Sequence, residues 1–175
     1  MANVTGSGSI SLNDTFTFST GFNTGQSVAQ TRTINSNQLS NGTAADQINL
    51  VGAVRLTFTA STPQTIDLTT ALTDPGGNAV AFSKVKRLLI KFISPTTDGA
   101  VVTIKHGTSN GWTNFIDAGA AGVGLTLQAP TANNDAGSAF VAPNTTGWVV
   151  TSTNKTLTIT PNAYPVVLDI IADGC

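Results

Sequence analysis

Residues 65–93 read T-I-D-L-T-T-A-L-T-D-P-G-G-N-A-V-A-F-S-K-V-K-R-L-L-I-K-F-I. A strand-like piece ends at Asp67-Leu68. Leu68 and Leu72 allow a single helical turn, which Pro75-Gly76-Gly77-Asn78 then breaks. Proline and glycine at those positions already account for a turn. A second, more apolar strand is expected from about Val80 to Ile93. Val80, Phe82, Leu88, Ile90 and Phe92 fall on one face, and Val85, Arg87, Leu89 and Ile93 on the other. A strand apolar on both faces belongs in the middle of a sheet or under cover on both sides. Lys84, Lys86, Arg87 and Lys91 lie here too, half of the chain's eight basic residues. They are expected as a solvated or interface strand edge, where lysine also blocks unwanted strand pairing. The stretch reads as the middle of a β-sandwich.

The flanking text extends that pattern. From Gln47 to Thr59, Ile48, Leu50, Val54, Leu56 and Phe58 occupy even positions, and Gln47, Asn49, Arg55, Thr57 and Thr59 odd ones. Period two over this length predicts one long strand with a buried face. Gly52 interrupts that face and marks a bulge or a close approach. Further strands are expected at Ala100–His106, around Val123-Leu125-Leu127, at Trp148-Val150 and Leu157-Ile159 with a hairpin turn at Ser152-Thr153-Asn154, and at Val166–Ile170. Residues 131–145 read as a loop. About eight to ten short strands with regular turn signals and no long helix predict an all-β fold. The expected architecture is an antiparallel, jelly-roll-like β-sandwich over residues 46–175.

Residues 1–45 differ, being rich in Gly, Ser, Thr and Asn with sparse hydrophobes. Thr15–Ser19 alternates, and Val28–Ile34 is a second short strand. These are read either as a strand pair of the same sandwich or as an extended arm reaching across a neighbouring subunit. Phe16, Phe18 and Phe22 are its candidate anchors. Trp112, Phe115 and Phe140, in loops of the sandwich, complete the set of candidate partner contacts.

Composition narrows the function. Only 10% of residues are charged and the net charge is −1, so the basic footprint of a nucleic-acid binder is missing. Every acidic residue is Asp and threonine is the commonest residue, which favours strands over helices. No apolar run approaches the ~18 residues of a membrane span. No basic, apolar leader pattern opens the chain, so synthesis in a cytoplasm is expected. Cys175 is the single cysteine, a free thiol at the tail or one buried in a subunit contact.

Catalytic signals are weak. His106 is the only histidine and closes a strand. No nucleophile elbow, P-loop or zinc-protease motif occurs. Asp67 with Asp74, or Asp117 with Asp135, would be the only carboxylate pairs to weigh for glycoside hydrolysis. Asp74 and Asn78 lack the ligand density of a calcium loop. Trp112, Trp148 and Tyr164 are aromatics able to stack on a sugar ring. A non-enzymatic protein without cofactor or metal is expected.

Asp67-Leu68, Leu72-Thr73-Asp74, Gly77-Asn78, Val80, Phe82 and Val85-Lys86 resemble a pattern of small tailed-bacteriophage structural proteins. Gly147–Thr151, Leu157-Thr158-Ile159 and Val167–Gly174 resemble its closing part. The similarity spans roughly residues 46–174. It departs at Pro75-Gly76 and in the loop 131–145, and the first 45 residues have no counterpart in it. The resemblance implies a virion protein on the capsid surface, a decoration or cement protein bound to the major capsid protein, as a homo-oligomer and most readily a trimer. Two rivals are a head or tail fibre module gripping a surface glycan, and a jelly-roll protein that forms the shell itself.

Overall fold

The computed structural model describes residues 11–19, 27–35, 40–95, 99–116, 124–129 and 138–175, with side chains from Gly42 onward. Among the described residues every regular element is a strand. In chain order these are β1 (Ser11–Ser19), β2 (Ser27–Asn35), β3 (Ser40–Asn41), β4 (Gln47–Ile48), β5 (Leu50–Phe58), β6 (Gln64–Asp67), β7 (Lys84–Ser94), β8 (Val101–His106), β9 (Leu125–Gln128), β10 (Ala139–Val149), β11 (Thr156–Pro161) and β12 (Val166–Gly174).

Strands β5 to β12 form two four-stranded sheets, in the orders β10-β7-β12-β5 and β6-β11-β8-β9. Every pairing within them is antiparallel. Of these strands the first pairs with the last, the second with the seventh, the third with the sixth and the fourth with the fifth. That is a long antiparallel ribbon rolled into two facing sheets, the wiring of a jelly roll. Strands β1 and β2 make a separate two-stranded sheet.

The period-two pattern places the core. On β5 the even positions turn inward, with Gly52 and Phe58 buried and Ala53, Arg55 and Thr57 exposed. Gly52 is a close approach: a Cβ there would lie 2.9 Å from the Cβ of Leu72. Leu88, Ile90 and Phe92 of β7, Leu168 and Ile170 of β12, Val102 and Ile104 of β8, and Leu157 and Ile159 of β11 fill the space between the sheets. Each such side chain contributes about 1.5–3 kcal/mol through burial.

Strand β7 is central, hydrogen-bonded to β10 on one side and β12 on the other. It begins at Lys84, later than alternation alone predicts. Val80 and Phe82 are buried but belong to the connector, where the Val80 amide donates to the Leu72 carbonyl at 2.9 Å. A bulge then shifts the register, because Gly174 pairs with Val85 and Asp173 with Arg87. The extra residue is Lys86. It reverses the alternation, so Val85 joins the core rather than the opposite face.

Two further expectations are corrected. The second half of the 131–145 loop is strand β10, while residues 131–137 lie outside the described residues. β10 is an edge strand, and the edge tolerates Pro143, which has no N–H to give. The Thr151–Asn154 turn is real, with reciprocal backbone hydrogen bonds of 3.0 and 3.3 Å. It is not a hairpin between paired strands, because β10 and β11 lie in different sheets.

The turns of residues 67–78 are held by aspartates. The Asp67 carboxylate accepts from the Thr69 amide at 2.8 Å and the Thr69 hydroxyl at 2.6 Å, and pairs with the Lys155 ammonium at 2.6 Å. Asp74 accepts from the Asn78 amide at 2.9 Å. Burial pushes the Asp67 carboxyl up, but the hydrogen bonds from Lys155 and Thr69 outweigh it and hold the group below the usual aspartate range. Hydrogen bonds from Asn78 hold Asp74 low, and the Arg55 hydrogen bond does the same for Asp169. A carboxyl depressed in the folded state stabilises the fold above its unfolded pKa and loses that contribution as pH falls through the folded one. Urea midpoints are therefore expected to be level above about pH 5 and to drop steadily below about pH 4. A midpoint that rises on acidification contradicts the assignment.

Candidate interaction surface

The aromatic candidates in the sandwich converge on one cluster. Trp112 stacks on Phe115 with centroids 4.9 Å apart, and Trp148 meets Phe115 edge-on at 5.0 Å and Trp112 at 6.2 Å. Phe140 of β10 meets Phe115 at 5.8 Å. Trp112 is 0% exposed, and its indole N–H donates to the Val149 carbonyl at 2.9 Å. It is a core residue and offers neither a partner contact nor a ring face for sugar stacking. Phe115 and Phe140 are half-buried against the same core. The cluster fastens the Trp112–Ile116 loop to β10. Phe16 and Phe18 stand opposite Gln30 and Val28 in the β1–β2 register, and Phe22 lies outside the described residues.

The basic set of β7 is corrected as well. Lys86 is 1% exposed. Its ammonium donates to the Thr43, Ala44 and Gln47 carbonyls, so its three N–H groups meet three main-chain oxygens. Arg87 pairs with Asp173, which is itself buried. Only Lys91 of the four is exposed. β7 is no edge; Lys86 latches a neighbouring segment and Arg87 neutralises Asp173 rather than guarding one. The Lys86 latch also ties residues 43–47 to the sandwich, across the boundary expected at residue 46. The segment is secured further by the Asp46 amide on Thr145 O at 3.2 Å and the Asn49 amide on Gly174 O at 3.0 Å.

The outer face of the β10-β7-β12-β5 sheet carries three cross-strand rows. Arg55, Asp169, Lys91 and Ala139 register in one, and Val51, Asp173, Arg87 and Pro143 in another. Between them Ala53, Ile171, Leu89 and Val141 line up across all four strands. Ile171 is 39% and Val141 37% exposed. The row is thus an open apolar stripe flanked by two neutralised ion pairs, Arg55–Asp169 and Arg87–Asp173. Its trace in the sequence is the doubled apolar residue, Leu88-Leu89, Phe140-Val141 and Ile170-Ile171, which sets one side chain on each face.

Other chemistry-bearing residues are scattered. A ring nitrogen of His106 lies 2.9 Å from the Gly107 carbonyl. Among the described residues no three His, Cys or Asp side chains gather as metal ligands. The Cys175 backbone pairs with Ser83 and Lys84, and its thiol is half-exposed. No helix among the described residues is long and apolar enough to cross a membrane. Comparisons with protein-family models, curated proteins and solved structures find no match.

Proposed function

We propose that this chain is a non-enzymatic structural component of a bacteriophage virion that decorates and stabilises the capsid through subunit contacts. The virion assignment draws on the resemblance of residues 46–174 to phage structural proteins. The observation that carries the contact role is the open stripe Ala53–Ile171–Leu89–Val141. A sheet face both apolar and charge-balanced suits burial against protein, since it leaves few ions to desolvate. Its partners are the major capsid protein and other copies of the chain, as a trimer.

Purified protein added to undecorated, expanded phage capsids tests this. Ordered extra density on the shell by electron cryo-microscopy is expected at micromolar protein. Bare shells at that concentration overturn the reading. The shell-forming alternative gains from the jelly-roll wiring, a fold shared by capsid and lectin domains. It predicts closed particles from this chain alone. The glycan-binding alternative loses Trp112, which is buried.

A further inference from the structure

We infer that β10 is a docking edge: its Ala139–Pro143 half adds antiparallel to the same half of a second copy, about a two-fold axis at Val141. The inference rests on reading the chain as an assembly protein and adds a contact between two copies; a trimer would be joined through other surfaces.

Hydrogen-bond parity shows which groups are on offer. The Phe92 amide donates to the Ser138 carbonyl at 3.0 Å, and the next residue, Ala139, registers with Lys91. Bonded and non-bonded residues alternate along an antiparallel pair. Phe140 and Ala142 therefore bond to β7, while the main-chain groups of Ala139, Val141 and Pro143 point away from it. Among the described residues no hydrogen bond from another segment reaches those three. The edge of β5 differs. Ala53 exchanges backbone hydrogen bonds of 2.9 and 3.1 Å with Thr73, and the Thr57 carbonyl accepts from the Gln64 side chain. The far half of β10 is closed too, because the Thr145 carbonyl accepts the Asp46 amide. The other sheet's edges, β6 and β9, are four residues each.

Edge strands are ordinarily guarded by charge or proline. β5 carries Arg55, whereas β10 has no charged residue from Ala139 to Val149. Its guard is Pro143, which limits the register without blocking it, since proline lacks the N–H but keeps an acceptor. With the axis at Val141, the two Val141 residues exchange N–H···O bonds. Each Ala139 amide donates to the Pro143 carbonyl of the second copy. The pair forgoes only the two donors that proline lacks.

The segment is uncharged and complementary to itself, which selects a second copy as the occupant. Phe140 stands opposite Ala142 of the second copy, large against small. Val141 also ends the row Ala53–Ile171–Leu89–Val141, so the axis carries that apolar row on across eight strands. Five residues span about 17 Å, and such a pair buries less than the ~1,200 Å² at the low end of standard interfaces. The contact is weak in dilute solution and strengthens where a shell holds copies side by side.

The test uses full-length protein without capsids. In analytical ultracentrifugation its mass is expected to double over about 10–1,000 μM, the range for a contact this small. Val141→Lys and Val141→Asp each set like charges face to face at the axis, and each should raise the dissociation constant by about tenfold or more. An equal mixture of the two sets opposite charges there and should associate more tightly than either variant alone. Val141 is 37% exposed, so both variants are expected to unfold within a few degrees of wild type. Amide exchange gives a second readout. Ala139 and Val141 should gain protection as concentration rises, while Phe140 and Ala142 are protected throughout. The contact is overturned by a mass independent of concentration, by association indifferent to both substitutions, or by a mixture no tighter than its parts. Exchange at Ala139 and Val141 that ignores concentration overturns it as well. None of these results involves a capsid, so this contact and the decoration role fail separately.

Discussion

Trp112→Ala is expected to destabilise the protein by about 3–5 kcal/mol, the cost of removing a large buried aromatic. Trp112 is fully buried and touches Phe115 and Trp148. Its loss also leaves the Val149 carbonyl without the indole donor, although the Asn114 amide reaches the same oxygen at 3.0 Å and softens that part. Urea denaturation reads the effect directly. Had Trp112 been a partner contact, alanine would leave stability intact and weaken association only. A midpoint unchanged from wild type would therefore return Trp112 to the surface.

Lys86→Met is expected to have the next largest effect, about 3 kcal/mol. Methionine keeps the apolar stem but takes the ammonium donor from the Thr43, Ala44 and Gln47 carbonyls; the Ala44 oxygen keeps the Gln47 amide at 3.2 Å, and a part-buried group left unsatisfied costs about 1–3 kcal/mol. The damage should be local first. Amide exchange at Gly42, Asp46 and Gln47, all hydrogen-bonded within or from this segment, is expected to speed up well before that of β7 or β12. Uniform loss of protection across the sandwich would mean that Lys86 supports the core rather than the segment.

The elements were largely legible in the sequence, the pairings less so. The even-position hydrophobes from Ile48 to Phe58 announced β5 and its buried face, because an antiparallel strand with one wet side must alternate. The all-β class followed from threonine in place of glutamate. Strand β10 was hidden, since Ala-Pro-Asn-Thr-Thr breaks the apolar pattern and an edge strand tolerates what a central one does not. The hairpin expected at Ser152–Asn154 joins two sheets instead; local alternation reports which face is buried, not which strand is the neighbour. Lys86 was illegible for a related reason. A lysine is buried only when its donors are met, and here the acceptors are backbone oxygens some forty residues away, with no sequence signature. The bulge it occupies also moved Val85 to the core. The candidate contacts follow the same line: aromatic identity singled out Trp112, Phe115 and Phe140 as partner contacts, but carried no sign that they meet in one cluster or that Trp112 is buried. The stripe of Ala53, Ile171, Leu89 and Val141 needs the register of four strands to become visible.

Calorimetry of undecorated expanded phage capsids, with and without saturating protein, tests the central claim most directly. A ligand that binds only the intact shell stabilises it, by about 2.7 kcal/mol per site at a hundredfold excess over its dissociation constant. The shell's melting transition is predicted to move up by several degrees, and with Ile171→Lys to move less. A shell that melts at the same temperature with and without bound protein would contradict a stabilising role.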